Sequence, residues 1–298
     1  MSSMLARASL MARAEPRLRG HCTGGYAMGN AERGVMPPPQ GETAAPQAIV
    51  IRAVPFDLPW EWLAAGWRDL WTSPGISLGY GALATVAGFI LTLGLSAASL
   101  ESLMPVLAGG FLLIGPLLAV GLYEKSRVLT QGGKPDLAGT ISAAASSAFR
   151  LGLLSAFLLF LYLVWMRVAF MLLALFLGTQ GLPPAREFMP TLLFTPQGLG
   201  LLIVGTATGA LLAALGFAAT AISIPLLMDR RIDALTAMAK SFEAVVENPK
   251  PMALWAGLIA GFVAMGMATL GLGLIVAFPL LGHATWHAYR DLVGTAEK

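Results

Sequence analysis

Long apolar runs separated by short charged segments dominate the chain. Four are plain: 76–98, 103–123, 151–177 and 199–228. Each is long enough to cross a hydrocarbon core, which takes about 20 helical residues. A fifth apolar stretch runs from Met252 to Tyr289. As one helix at about 1.5 Å per residue it would reach roughly 57 Å, nearly twice the core thickness. We therefore divide it at "LGLG", Leu270–Gly273, into spans 252–270 and 272–289. One tilted, kinked helix with a projecting end is the alternative. The pattern predicts an all-α, polytopic membrane protein with six transmembrane helices.

The six spans fall into three hairpins. "GPLLAVGLYE" starts at Gly115, "IPLLMDRRID" at Ile224 and "FPLLGHATWH" at Phe278. Each Pro-Leu-Leu lies late in the second helix of a pair, where a proline removes one backbone bond and bends the helix. Three copies point to a threefold repeat. A shorter amphipathic segment precedes each pair. In "PWEWLAAGWRDLWTSP", Trp60, Leu63, Trp67, Leu70 and Trp71 share a face opposite Glu61 and Arg68. In "IDALTAMAKSFEAVVENP", Ile232, Leu235, Phe242, Val245 and Val246 oppose Asp233, Thr236, Lys240, Glu243 and Glu247. The middle copy is thinner: Leu137, Ile141, Ala148 and Phe149. A period near 3.6 with flanking charge predicts helices lying in the membrane interface.

Composition agrees with this. Of 298 residues, 56% are hydrophobic and 12% charged, against about 25% charged in soluble domains. Cys22 is the single cysteine, which excludes an internal disulfide or a CxxC metal knuckle. With six spans, 17 of the 19 lysines and arginines lie on one side. The exceptions are Arg186, on the other side, and Arg167, inside a span. This bias follows the positive-inside rule and places both termini in the cytoplasm. Residues 1–49 carry five arginines and no apolar block. They read as a disordered basic cytoplasmic tail without a signal peptide, and Met28 or Met36 could also be the start. The membrane domain is then 50–294, with a short tail at 295–298. The net charge of +3 is placed for a membrane and not for nucleic acid.

Close helix packing is suggested by "GISLG" (75–79), "GTATG" (205–209) and "GLIAG" (257–261), where small residues let backbones approach. Candidate chemistry is sparse. Four and eight residues after each repeat proline stand Val120 and Glu124, Asp229 and Asp233, and His283 and His287. Positions four apart share a helix face. If the repeats surround a common axis, three carboxylates and two imidazoles converge at the inner rim. Such a donor set suits zinc, iron or manganese. The competing reading is that each helix simply meets water there. Bis-His haem is disfavoured, since the only other histidine is His21 in the tail. Arg167 lies roughly 24 Å into its span, close enough to the far surface for its side chain to snorkel out. If buried, it must face water, carbonyls or an anion. No GxSxG, HExxH or Walker A motif occurs, and no relay of acids crosses the membrane. An enzyme is not expected, and no cofactor is implied.

The blocks "PWEWLAAGWRDLWTSPGISLGYG", "GFLLIGPLLAVGLYEKSR" and "FPLLGHATWHAYRDLV" resemble the DUF2189 family of predicted bacterial integral membrane proteins, over about 50–294. The resemblance implies a bacterial inner-membrane location and supplies no activity. The expected function is non-enzymatic binding of another membrane protein or of lipid. The alternatives are a small-solute transporter or channel, and a metal-binding accessory factor of a respiratory complex.

Overall fold

The computed structural model describes residues 49–98, 100, 115–147, 151–178 and 185–295. The expected basic tail thus lies outside the described residues, as do residues 296–298. Within them are eleven helices and two short strands. The helices are α1 (Leu58–Thr72), α2 (Pro74–Ala97), α3 (Val120–Thr130), α4 (Leu137–Ser147), α5 (Gly152–Leu177) and α6 (Ala185–Phe194). They continue as α7 (Pro196–Thr220), α8 (Ser223–Asp229), α9 (Ala234–Glu247), α10 (Pro249–Ala268) and α11 (Leu274–Leu292). Several start on proline: Pro59 in α1, Pro74 in α2, Pro196 in α7 and Pro249 in α10. A first-turn proline loses no helical bond and has its φ already set.

Four stretches are long and apolar enough to cross a membrane: Pro74–Ala97, Gly152–Leu177, Pro196–Asp229 and Pro249–Ala268. They match four of the six expected spans. The run at 103–123 falls largely outside the described residues. The run at 272–289 becomes α11, which is a separate helix, as the split at "LGLG" requires. Leu270 and Gly271 both take positive φ, 55° and 83°, and turn the chain between α10 and α11. Yet α11 is not a plain apolar span. It carries His283, Thr285, His287, Arg290 and Asp291, and packs against α1, α2, α3 and α10.

Two strands close the helical domain. β1 (Ile49–Ile51) pairs antiparallel with β2 (Val293–Thr295), Ile51 opposite Val293. The residues just before α1 and just after α11 are therefore side by side, and the expected C-terminal tail begins as a strand. Asn248, at the end of α9, fastens this corner. Its Oδ1 accepts from Val54 N at 2.8 Å, and its Nδ2 donates to Arg52 O at 3.1 Å. Asn248 is buried, so Asn248→Ala strands those partners and should cost roughly 1–3 kcal/mol. A lowered Tm in detergent is the expected readout, and an unchanged Tm would refute the clamp.

The three short amphipathic segments form helices where predicted, but their faces are turned. On α1, Leu63 and Leu70 are buried together with Trp62, which meets Trp255 edge to face at 5.6 Å. Trp60, Trp67 and Trp71 point outward, 55%, 46% and 50% exposed. On α9 the inward face is small, Ala234, Ala237, Ser241 and Ala244, and Leu235 and Val246 are exposed. On α4, Leu137 and Ile141 are exposed, and Ala148 and Phe149 of the expected stripe lie outside the described residues. Among lipids a large apolar side chain gains little by turning inward, whereas a small one lets two backbones come close.

The same logic selects different glycines from those expected. A Cβ on Gly66 of α1 would sit 2.7 Å from Ala284 N and 2.9 Å from Leu280 O of α11. A Cβ on Gly81 of α2 would collide with the Ile275 carbonyl of α11. Gly75, Gly79, Gly205, Gly257 and Gly261 have open space where their Cβ would be. Of the expected motifs only Gly209 is close-packed, against the Trp165 ring at 3.0 Å.

Candidate functional site

The repeat block on α11 supplies the polar centre of the protein. His283 is fully buried and sits between two serines. Its Nδ1 is 2.8 Å from Ser126 Oγ on α3, and its Nε2 is 2.9 Å from Ser77 Oγ on α2. Ser126 Oγ in turn donates to Asp69 Oδ2 on α1 at 2.6 Å. The same carboxylate oxygen is 2.9 Å from His287 Nε2, one turn along α11. Ser77 Oγ accepts from Lys125 Nζ, which also donates to the carbonyls of Asp69 at 2.9 Å and Ser73 at 3.0 Å. One continuous chain therefore runs His287–Asp69–Ser126–His283–Ser77–Lys125. It joins four helices.

Lys125 is wholly buried and does a second job. The carbonyls it meets belong to the last turn of α1 and to Ser73 after it. These are among the groups a helix end leaves without an internal partner, and a cation there also suits the helix dipole. Burial drives the ammonium down to about 8, with the nearby Asp69 charge opposing the shift. For Asp69, burial alone would raise the carboxyl. Hydrogen bonds from His287 and Ser126 outweigh it and hold the group below its usual 3.8.

Three other polar groups of α11 are likewise tied to neighbouring helices. Trp286 Nε1 donates to Thr130 Oγ1 at 2.9 Å, and Tyr289 OH to Asp229 Oδ2 at 2.6 Å. Asp291 accepts from Trp62 Nε1 at 2.8 Å. The block is thus a buried fastening over most of its length, with His287 partly exposed and Arg290 and Asp291 at the surface.

The five expected ligands do not assemble. His283 and His287 share the network, but each carboxylate is engaged elsewhere. Glu124 holds Arg127 at 2.7 Å, Asp229 takes Tyr289, and Asp233 caps α9 by accepting from Thr236 N at 2.9 Å. Among the described residues, no three His, Cys, Asp or Glu side chains gather as a metal-holding group. The repeat offset aligned these positions in sequence. The fold brings α3, α8 and α11 into contact, but each carboxylate takes a different partner, so the alignment does not make a shared ligand set. Arg167 lies on an exposed face of α5.

Nor is the network a hydrolytic triad. Asp69 bonds His287 and Ser126 but not His283. Ser77 Oγ is closed off, held between His283 and Lys125, and lines neither of the cavities described next. Asp69, Ser77, Lys125 and Ser126 were missed from sequence. Lys125 and Ser126 read as loop residues just past an apolar run, though "YEKSR" continues the helix by one more turn. Asp69 hid inside the Trp-rich stripe.

Two apolar cavities lie between the helices, as bounded by the described residues. One, about 470 Å³, is enclosed by α2, α10, α11 and the residues leading into α3. Phe89, Met267, Leu274 and Phe278 line it, and Thr85 and Tyr123 add polar points. The other, about 1010 Å³, lies among α5, α6, α7 and α10, walled by Trp165, Leu173, Phe188, Leu201, Phe217 and Ala260. Arg167 lines neither.

The apolar helices and the family comparison agree. Residues 103–229 match the DUF2189 family model, whose description is a predicted integral membrane protein. The expected resemblance is therefore found, over a shorter stretch than 50–294. The DUF2189 match includes α3 with Lys125 and Ser126, and it leaves out α1 and α11. No curated protein and no solved structure gives a match. The chain is an integral membrane protein with several apolar helices.

Proposed function

We propose that this chain is a non-enzymatic protein of the bacterial cytoplasmic membrane that holds lipid between its helices. The observation that carries this is the pair of apolar cavities. The first falls within the size range of small-molecule sites and the second stands at its upper end. Their walls offer a few hydroxyls and no charged side chain, which suits an acyl chain and not a hydrated solute. The outward tryptophans of α1 suit the headgroup level on either side of such a site.

We place the chain as three hairpins of six spans, with α11 and the 103–123 run completing the pairs. Pairing of β1 with β2 favours an even number of crossings, and the lysine and arginine bias favours both ends in the cytoplasm. A transporter would need a polar path reaching Arg167, and neither cavity reaches it.

The test is mild extraction followed by mass spectrometry of whatever lipid stays bound. Wild-type protein is expected to carry lipid. Gly88→Trp and Ala260→Trp, which fill the first and second cavity, should each lower the amount while leaving the helix content unchanged. Protein that carries no lipid, or a retained protein partner with both cavities empty, would overturn the reading.

A further inference from the structure

The hydrogen-bond roles along the buried chain are fixed by its chemistry. Ser126 spends its one proton on Asp69, so His283 must donate to Ser126 from Nδ1. Neutral His283 then accepts at Nε2, and the donor is Ser77. Ser77 can in turn only accept from Lys125. Every bond points the same way, from the ammonium towards the carboxylate.

Among the described residues, Ser77 is the one side chain to which Lys125 can pass a proton. Lys125 is fully buried, and its remaining hydrogen bonds end on backbone carbonyls, which accept but cannot pass a proton on. At the other end the side chains of Asp69 and His287 keep 15% and 22% of their surface exposed. We propose that Ser77, His283, Ser126 and Asp69 form a proton relay that loads and unloads buried Lys125, opening to solvent at Asp69 and His287.

The step balances. Lys125 gives a proton to Ser77 Oγ, and Ser77 passes its own to His283 Nε2. His283 releases Nδ1–H to Ser126, and Ser126 hands its proton to Asp69. Asp69 then gives one proton to water at the edge it shares with His287. The sum is loss of one proton from Lys125 and gain of one by solvent. The return path runs in reverse.

The titratable and charged groups facing this chain are Asp69 from α1, Lys125 from α3, and His283 and His287 from α11. Of the other charges on these elements, Glu124 is engaged with Arg127 and Asp291 with Trp62, and Glu61, Arg68 and Arg290 lie exposed at the surface. The low-lying ammonium of Lys125 brings its proton loss close to neutral pH. Because that ammonium caps α1, the relay also sets how firmly the α1–α2 corner is held. This inference is independent of the lipid reading.

The experiment labels the lysine side-chain nitrogens of the full chain and follows them by NMR in detergent micelles. There are five lysines, and Lys125→Arg identifies the signal. Lys125 is expected to titrate at about 8. Ser126→Ala cuts the relay without touching Lys125. It should slow hydrogen exchange at Lys125 Nζ by about a hundredfold or more. Ser77→Ala cuts the relay at its other end and serves if the first variant does not fold. A Lys125 signal that shows no lowering from the usual lysine value, or exchange that is unchanged when the relay is cut, would overturn the proposal.

Discussion

Gly81→Ala is expected to be among the most damaging single substitutions in this protein, and Gly66→Ala to follow it. Alanine in a helix interior normally gains about 0.5–1 kcal/mol over glycine. At Gly81 the added methyl meets the Ile275 carbonyl, and at Gly66 it meets Ala284 N and Leu280 O. These are backbone atoms of α11 and cannot rotate away. Overpacking of this kind costs about 1–3 kcal/mol and occasionally more, so the propensity gain is overridden. Gly257→Ala and Gly261→Ala have open space at the new methyl and should be neutral or stabilising. Tm in detergent separates the two sets, at about 2–4 °C per kcal/mol for a domain of this size class. A Gly81→Ala protein as stable as wild type would mean that α2 and α11 do not meet as described.

Asp69→Ala is the second large effect. It removes the acceptor for both Ser126 Oγ and His287 Nε2 in a partly buried site. Leaving two such groups unpaired should cost roughly 2–5 kcal/mol in total. The sign of its pH dependence follows from the direction of the shift. The Asp69 carboxyl is lower in the folded protein than the usual 3.8. Its contribution is therefore complete above that value and is lost as pH falls through the lower folded value. The Tm gap between wild type and Asp69→Ala should hold steady from neutral pH down to about 5 and close on further acidification. A gap that persisted unchanged in acid would show that the ionised carboxylate is not what the network uses.

Much of the architecture was legible in the chain. Spans at 76–98, 151–177, 199–228 and 252–270 were readable because unbroken apolar length has few other uses. The break between α10 and α11 was readable from length alone, since one helix would be too long for the bilayer. The three short helices were readable from their period. Their orientation was not. Periodicity reports that two faces differ, and the usual assumption sends the larger apolar face inward. Next to lipid the assumption fails, and Trp60, Trp67, Trp71, Leu235 and Val246 face out.

The site shows the same division. His283 and His287 were singled out from spacing, and they do stand at the polar centre. Their partners Asp69, Ser77, Lys125 and Ser126 come from three other helices and have no spacing relation to them. Hydrophobic length and the placement of charge are properties of the chain, so the sequence by itself determined that this protein lies in a membrane and where its helices run. Which glycines touch, which tryptophans face out and which acid meets which histidine depend on the depth and rotation of each helix against its neighbours. Those are fixed by packing many side chains at once, and only the tertiary structure decided them.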